Sequence, residues 1–442
     1  MLKRNLESQL THWKDSVGRK PLVMLGARQV GKTYALKQFA SRCFDSIAYV
    51  DFSKNPDAAD LFEHSISPSE VVANLELYLN VGIEPAKTLI VFDEIQLCER
   101  ALTSLKYFCE DAPQYHVAAA GSLLGVKVNR DKYSFPVGKV DMLEVNPLTF
   151  EEFLWACGEE RLADAIRNAF EKATDSFALH ERALRLVRDY QIVGGMPEVV
   201  DVFASTQDGG LSTFESVRRK QDEINLAYAS DMVKYAESSE APKILEAWNS
   251  IPRQLAKDNH KFQYKAIKSG GRSSTYASAV EWLEAAGVAV RCTNVSEAVA
   301  PLAAFAQDKS FKLYGADTGL LAARFEALPA DIEPSSDKGA MFRGALAENF
   351  VFQQIRAAGA NAYYWGTPSR YEVEFVARSK DGQVVPIEVK SGKNVSSKSL
   401  DAYRMEYKPA VCYRVSAKNF GCENGIRSIP LYAAWLLGEQ LM

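Results

Sequence analysis

Gly26-Ala27-Arg28-Gln29-Val30-Gly31-Lys32-Thr33 places two glycines around a four-residue spacer, followed at once by a lysine and a hydroxyl side chain. This Gly-x4-Gly-Lys-Thr spacing is a full Walker A phosphate-binding pattern. The glycines let the main chain curl so that its N–H groups face phosphate oxygens. A helix opening near Gly31 adds the positive end of its dipole. Lys32 would reach the β- and γ-phosphates of a nucleoside triphosphate, and Thr33 would place its hydroxyl on Mg²⁺. Residues Gly26 through Tyr34 are thus the expected ATP-binding loop. Arg28, inside that loop, reads as a solvent-facing residue and not a catalytic one.

A second pattern answers the first. Residues 88–94, TLIVFDE, form an apolar strand that ends in Asp93-Glu94. Asp93 at a strand end can hold Mg²⁺ through water, and Glu94 can orient or deprotonate the attacking water. An acidic pair after a strand also serves commonly as a helix cap and first-turn acid, but here it arrives where the phosphate loop needs it. Ser122, closing the strand HVAAAGS, reads equally as a polar sensor of the γ-phosphate or as a helix N-cap.

A third group lies near the C-terminus. Glu348 sits in an amphipathic helix, Glu374 on a strand, and Glu388 and Lys390 on the next strand. Two residues apart on a strand, Glu388 and Lys390 project to one face, and a neighbouring strand can bring Glu374 beside them. Carboxylates of Glu348, Glu374 and Glu388 on Mg²⁺, with Lys390 near an attacking water, would suit phosphodiester hydrolysis. A Glu-x-Lys pair on a strand is also ordinary alternation toward solvent.

These residues need elements to hold them. Strands are expected at 21–26, 47–53, 88–94, 116–122 and 140–145 with helices between, which gives an α/β fold with a parallel sheet covered on both faces. Residues 158–190 carry helical spacing and read as a lid; GGMP at 194–197 is a turn and helix start. A helix, a turn, the helix 276–288 and strands 288–295 and 311–317 suggest a winged-helix-like middle module. Lys243–Thr275 holds seven Lys/Arg against two Asp/Glu, a local +5 that could meet phosphates, although Glu281 and Glu284 on the following helix oppose DNA. Asp317, in ADTGLL, reads as a helix cap. The expected division is 1–155 for the ATPase domain, 156–235 for the lid, 236–333 for the winged-helix-like module and 334–442 for the last α/β domain.

The whole chain has 442 residues and a net charge of −4, so no global basic field advertises nucleic acid. Seven scattered cysteines without a CxxC pair point to a reducing compartment and no zinc site. The N-terminus MLKRNLESQL lacks an apolar signal core, and no apolar run approaches the ~18 residues of a spanning helix. A cytoplasmic location without a membrane span is expected.

GARQVGKT, LIVFDEIQ, AAAGSLLG and VNPLTFEEFL together resemble a family of bacterial and archaeal AAA-type P-loop ATPases. The resemblance implies a sheet order of 5-1-4-3-2 and GGMPE as part of the lid. That family usually carries arginine where this chain has Lys139. The C-terminal order, a helix with Glu348, a strand with Glu374, then IEVKSG, resembles the PD-(D/E)xK restriction-endonuclease-like fold and a domain of unknown function that often follows this ATPase family. The usual E-V-D-F is EVEF here, with Glu374 at the aspartate, and the PD pair is absent. The first reading is an ATP-hydrolysing switch coupled to a nuclease-like domain acting on DNA. The second is a regulatory ATPase whose last domain binds nucleic acid or a protein partner without cleaving. A small-molecule kinase, which needs one compact domain with a lid, suits three successive modules poorly.

Overall fold

A computed structural model describes residues 2–122, 136, 138–174, 177–206, 210–257, 260–333, 339–367, 371–393 and 398–442. The segment after Ser122, the middle of TQDGG and the PSSDK linker lie outside the described residues. The chain forms two compact units: Lys3–Asn146 with Ala285–Gly287, and Met1–Leu2 with Pro147–Glu284 and Val288–Met442.

In the first unit five strands, β1 (Leu22–Gly26), β2 (Ser46–Asp51), β3 (Thr88–Asp93), β4 (His116–Ser122) and β5 (Asp141–Glu144), make one sheet. Every pairing is parallel, and the order is β2-β3-β4-β1-β5, which agrees with the implied 5-1-4-3-2. All six residues of β3 are buried, as a parallel strand covered on both faces requires. On one face Phe92 meets Phe62 at 5.5 Å between ring centres, and Phe52 joins them. The register sets Gly26 beside Ser122 and Asp93 beside Ala120. The carboxyl ends of β1, β3 and β4 therefore share one edge, where open α/β sheets bind ligands.

In the second unit, β6 (Ala289–Val295), β7 (Ala306–Gly315), β8 (Ala362–Gly366), β9 (Glu372–Arg378), β10 (Val384–Val389), β11 (Cys412–Ser416), β12 (Gly421–Glu423) and β13 (Ile426–Pro430) form a mixed sheet. Its order is β12-β13-β11-β10-β9-β8-β6-β7. The strand pair expected as a wing continues this sheet: β6 runs parallel to β8 through Asn294–Tyr364 and Val295–Trp365. Asn294 Oδ1 also accepts the Gly366 N–H at 3.0 Å. Main-chain pairing between segments about seventy residues apart leaves no local trace in sequence. The helix Ala340–Ala357 packs on the sheet, with Phe352 stacked on Phe375 at 5.5 Å.

The segments GGMP and ADTGLL meet in this unit. Asp317 caps the helix Thr318–Arg324 by accepting the Leu320 N–H at 2.9 Å, and its other oxygen accepts the Gly195 N–H at 2.7 Å. The cap expected for Asp317 is thus also a tie between two helix ends. A Cβ at Gly194 (φ 79°) would lie 2.2 Å from Asp317 Oδ1, and one at Gly319 would lie 2.3 Å from the Val193 carbonyl. Only glycine fits such contacts at either position. Burial pushes the Asp317 carboxyl up to about 6, although three main-chain N–H groups and Gln353 donate to it.

Candidate functional site

The first site forms where β1 runs into the helix Lys32–Cys43. Gly31 sits at φ 91°, a left-handed turn that lets the loop close onto the helix start. Gly26 has a different reason to lack a side chain: a Cβ there would fall 2.4 Å from the Val145 carbonyl. Lys32 is buried and donates to the Gly26 and Ala27 carbonyls at 3.0 and 2.8 Å. Burial lowers its pKa to about 8, partly opposed by Glu94 and Asp93. A cation so desolvated gains strongly from an anion brought into the loop.

Thr33 Oγ1 donates to Asp93 Oδ2 at 2.7 Å, so the loop and the end of β3 are joined directly. Tyr49 on β2 donates to the same oxygen at 2.7 Å, and the Glu94 N–H donates to Oδ1 at 3.0 Å. Glu94 adopts φ 51°, a sparsely populated conformation for a non-glycine residue, and Gln96 Nε2 donates to its carboxylate. Arg28 and Tyr34 are exposed, and Ala27 and Val30 are buried; Gln29 takes φ 66°. Ser122 stands by main-chain register beside Gly26. Lys139 pairs with Glu110 at 2.8 Å. Among the described residues no group of three or more His, Cys, Asp and Glu is arranged to hold a metal. Mg²⁺ bound with a nucleotide needs no such cage, only one or two protein oxygens beside the phosphates. Thr33 and Asp93 are hard oxygen donors of that kind, so the residues present fit it.

The C-terminal carboxylates are brought together, but each already has a cation. Glu348 accepts from Lys312 at 3.2 Å and Tyr314 at 2.9 Å, and its other oxygen lies 2.8 Å from His260 Nδ1. Glu374 meets Lys390 at 3.2 Å and accepts the Val389 N–H at 3.1 Å. Glu388 accepts from Arg414 at 2.8 Å and lies 3.4 Å from Lys390. Lys312 has no solvent exposure and also pairs with Glu372 at 2.8 Å. Burial opposes charge on Lys312, but Glu348 and Glu372 outweigh it and raise its pKa. Glu348 is held below the usual carboxylate range: burial works against ionisation, and Lys312 and His260 overcome it. Glu374 is raised, by burial first and by the negative charge of Glu348 and Glu388.

Lys312→Met is expected to destabilise the fold by about 3–5 kcal/mol, because it strands buried negative charge; urea unfolding measures this. Adding Glu348→Gln should recover part of the loss. The native Glu348 pairs favour the folded state above the ordinary carboxylate pKa of 4.5 and lose that effect as pH falls toward the lowered folded value.

Residues 18–154 match the AAA domain family. With the loop and strand geometry above, this segment is an AAA-type P-loop ATPase domain. Residues 184–331 and 343–433 match two domains of unknown function, DUF8612 and DUF4143. A search of curated proteins gave no match. Among solved structures, the chain is similar to the Walker-type ATPase PABY2304 of Pyrococcus abyssi, at 13% identity over 74% of this chain and 96% of that one, with a TM-score of 0.46. It is also similar to the Aeropyrum pernix ORC1 protein solved in complex with DNA (14% identity, 73% and 90% covered, TM-score 0.30). A third similarity is to the Thermotoga maritima RuvB Holliday junction branch migration motor (13%, 66% and 90%, 0.30). Likenesses of this size define neither substrate nor partner. Among the described residues no helix is long and apolar enough to cross a membrane.

The structure thus gathers Gly26, Lys32, Thr33, Asp93 and Glu94 at one sheet edge, and Glu348, Glu374, Glu388 and Lys390 in one cluster. Sequence reasoning missed Tyr49, Gln96, His260, Lys312, Glu372 and Arg414. Lys312 had a usable signal: it is a lysine among the apolar residues of FKLYG.

Proposed function

We propose that this protein is an ATP-hydrolysing conformational switch whose C-terminal module engages a protein partner and does not cleave nucleic acid. The observation that carries the reading is charge closure: Glu348, Glu374 and Glu388 each lie within 3.2 Å of a lysine, arginine or histidine nitrogen. Carboxylates neutralised in this way act as an ion-pair core and compete poorly for a divalent cation. The basic stretch supports a protein over a phosphate backbone. Lys243, Lys261 and Lys268 are paired with Glu240, Glu372 and Glu246, so part of the local +5 is spent internally.

In the ATPase domain, Lys32 and the loop N–H groups take the β- and γ-phosphates. Thr33 and Asp93 would hold Mg²⁺, which when bound neutralises phosphate charge. Glu94 accepts the proton of the attacking water. The cytoplasm, where ATP and free thiols coexist, is the setting this implies. To test the switch, hydrogen exchange of residues 147–442 is compared with and without ATP in Glu94→Gln. Changed protection there supports the reading, and identical exchange in both states removes it.

The second reading, a winged-helix-like module and a restriction-endonuclease-like domain that cuts DNA, draws on one observation. Lys390 reaches Glu374 and Glu388 at 3.2 and 3.4 Å, the pairing a phosphodiester-cleaving set would need.

A further inference from the structure

We propose that Tyr49 is a positioning residue of the nucleotide site, fixing Asp93 through its hydroxyl and so setting how tightly Mg²⁺ is held with the nucleotide. This rests on the P-loop ATPase domain and is independent of what the C-terminal module does. Tyr49 pairs with Val91 across β2 and β3, and Asp51 pairs with Asp93. With side chains alternating along each strand, Tyr49, Asp51, Val91 and Asp93 share one sheet face, and the Tyr49–Asp93 bond is a diagonal cross-strand contact. The directly opposite residue, Asp51, offers only a second carboxylate, and its Oδ1 is engaged by Ser53 and the Lys54 N–H. Tyr49 is therefore the donor that β2 supplies to Asp93.

The hydrogen-bond accounting shows what this donor does. Asp93 Oδ2 receives two hydroxyls, from Thr33 and Tyr49, each at 2.7 Å, and Oδ1 receives the Glu94 N–H at 3.0 Å. A threonine hydroxyl has one proton and two lone pairs. With its proton committed to Asp93, Thr33 turns its lone pairs outward, the orientation a cation requires. Remove Tyr49 and the Asp93 carboxylate loses one of the three contacts that fix its rotation, so the Thr33 proton loses a fixed target. The tyrosine ring is itself held, because Lys37 on the helix after the loop places its Nζ 4.0 Å from the ring centre. Partners that orient metal-binding groups typically change metal affinity by 10–100-fold when removed.

The experiment is equilibrium binding of a fluorescent ATP analogue by the full chain, titrated with Mg²⁺ and repeated in EDTA, for wild type and Tyr49→Phe. Mn²⁺ in place of Mg²⁺, counted by its electron paramagnetic resonance signal, reads bound metal without reference to turnover. The expected result is a metal midpoint about tenfold higher in Tyr49→Phe, with affinity in EDTA within about twofold of wild type. An unchanged metal midpoint overturns the proposal. So does an equal loss of affinity in EDTA, which would make Tyr49 a support of the loop in general. The ring is only half-buried, and Tyr49→Leu replaces the phenylalanine variant should that chain not fold. If neither variant binds the analogue while wild type does, the loss is again general and the proposal fails.

Discussion

Lys32→Ala is expected to weaken ATP binding by about a hundredfold or more and to reduce turnover to background. The side chain is buried, its pKa is lowered to about 8 by desolvation despite Glu94 and Asp93, and it donates to the Gly26 and Ala27 carbonyls of its own loop. Glu94 and Asp93 offset only part of that desolvation, so its charge is available to phosphate oxygens. Charge-assisted bonds of this kind are each worth about 1.5–3 kcal/mol, so two of them, to the β- and γ-phosphates, give about two decades or more in affinity. Calorimetric titration with ATP and a phosphate-release assay check both halves. Because Lys32 bonds carbonyls of its own loop and its charge is desolvated there, its removal should leave the melting temperature within a few degrees of wild type. Unaltered ATPase activity in a folded Lys32→Ala chain would defeat the assignment of the loop.

Glu94→Gln separates binding from chemistry. The substitution keeps size and removes only the carboxylate's capacity to accept a proton, so nucleotide affinity should stay within about threefold. Losing a general base costs about 10²–10⁴-fold in rate, and single-turnover hydrolysis should fall by that amount. The local structure favours this division of labour. Asp93 is oriented by Thr33, Tyr49 and the Glu94 N–H, whereas the Glu94 carboxylate stands outside that set on a left-handed backbone, with Gln96 donating to it. Normal hydrolysis by Glu94→Gln would reduce Glu94 to a cap at the strand end.

The ATP site was legible because its information is local. Gly26 to Thr33 is one turn and one helix start, and the run TLIVFDE could only be a buried strand ending in two acids. The sheet order, by contrast, came only with the family resemblance and from no spacing in the chain. Tyr49 was not legible, since its role depends on a register between β2 and β3 that no spacing reveals. The C-terminal cluster shows the same divide more sharply. That Glu388 and Lys390 would share a face followed from period-two alternation, with Glu374 brought beside them by a neighbouring strand. The other partners did not: Lys312 and His260 reach Glu348, and Arg414 reaches Glu388, from segments 26 to 88 positions away. The carboxylates with Lys390 read as a metal site, and the further partners that close it came only with tertiary structure. The strands read as a wing meet a related limit, because β6 finds its second neighbour in β8, beyond β7 and three intervening helices.

We propose that ATP chemistry in the first unit is joined to a C-terminal module that does not cut. The direct measurement is incubation of single- and double-stranded DNA with the full chain and Mg²⁺ or Mn²⁺, with and without ATP, scoring strand cleavage and phosphate release in the same tube. Lys390→Ala runs alongside as the control for contaminating nuclease. Intact DNA is expected in every lane, with phosphate release in the lanes that contain ATP. Metal-dependent cleavage by wild type that disappears in Lys390→Ala would contradict it and establish the cluster around Glu374 and Glu388 as a nuclease site.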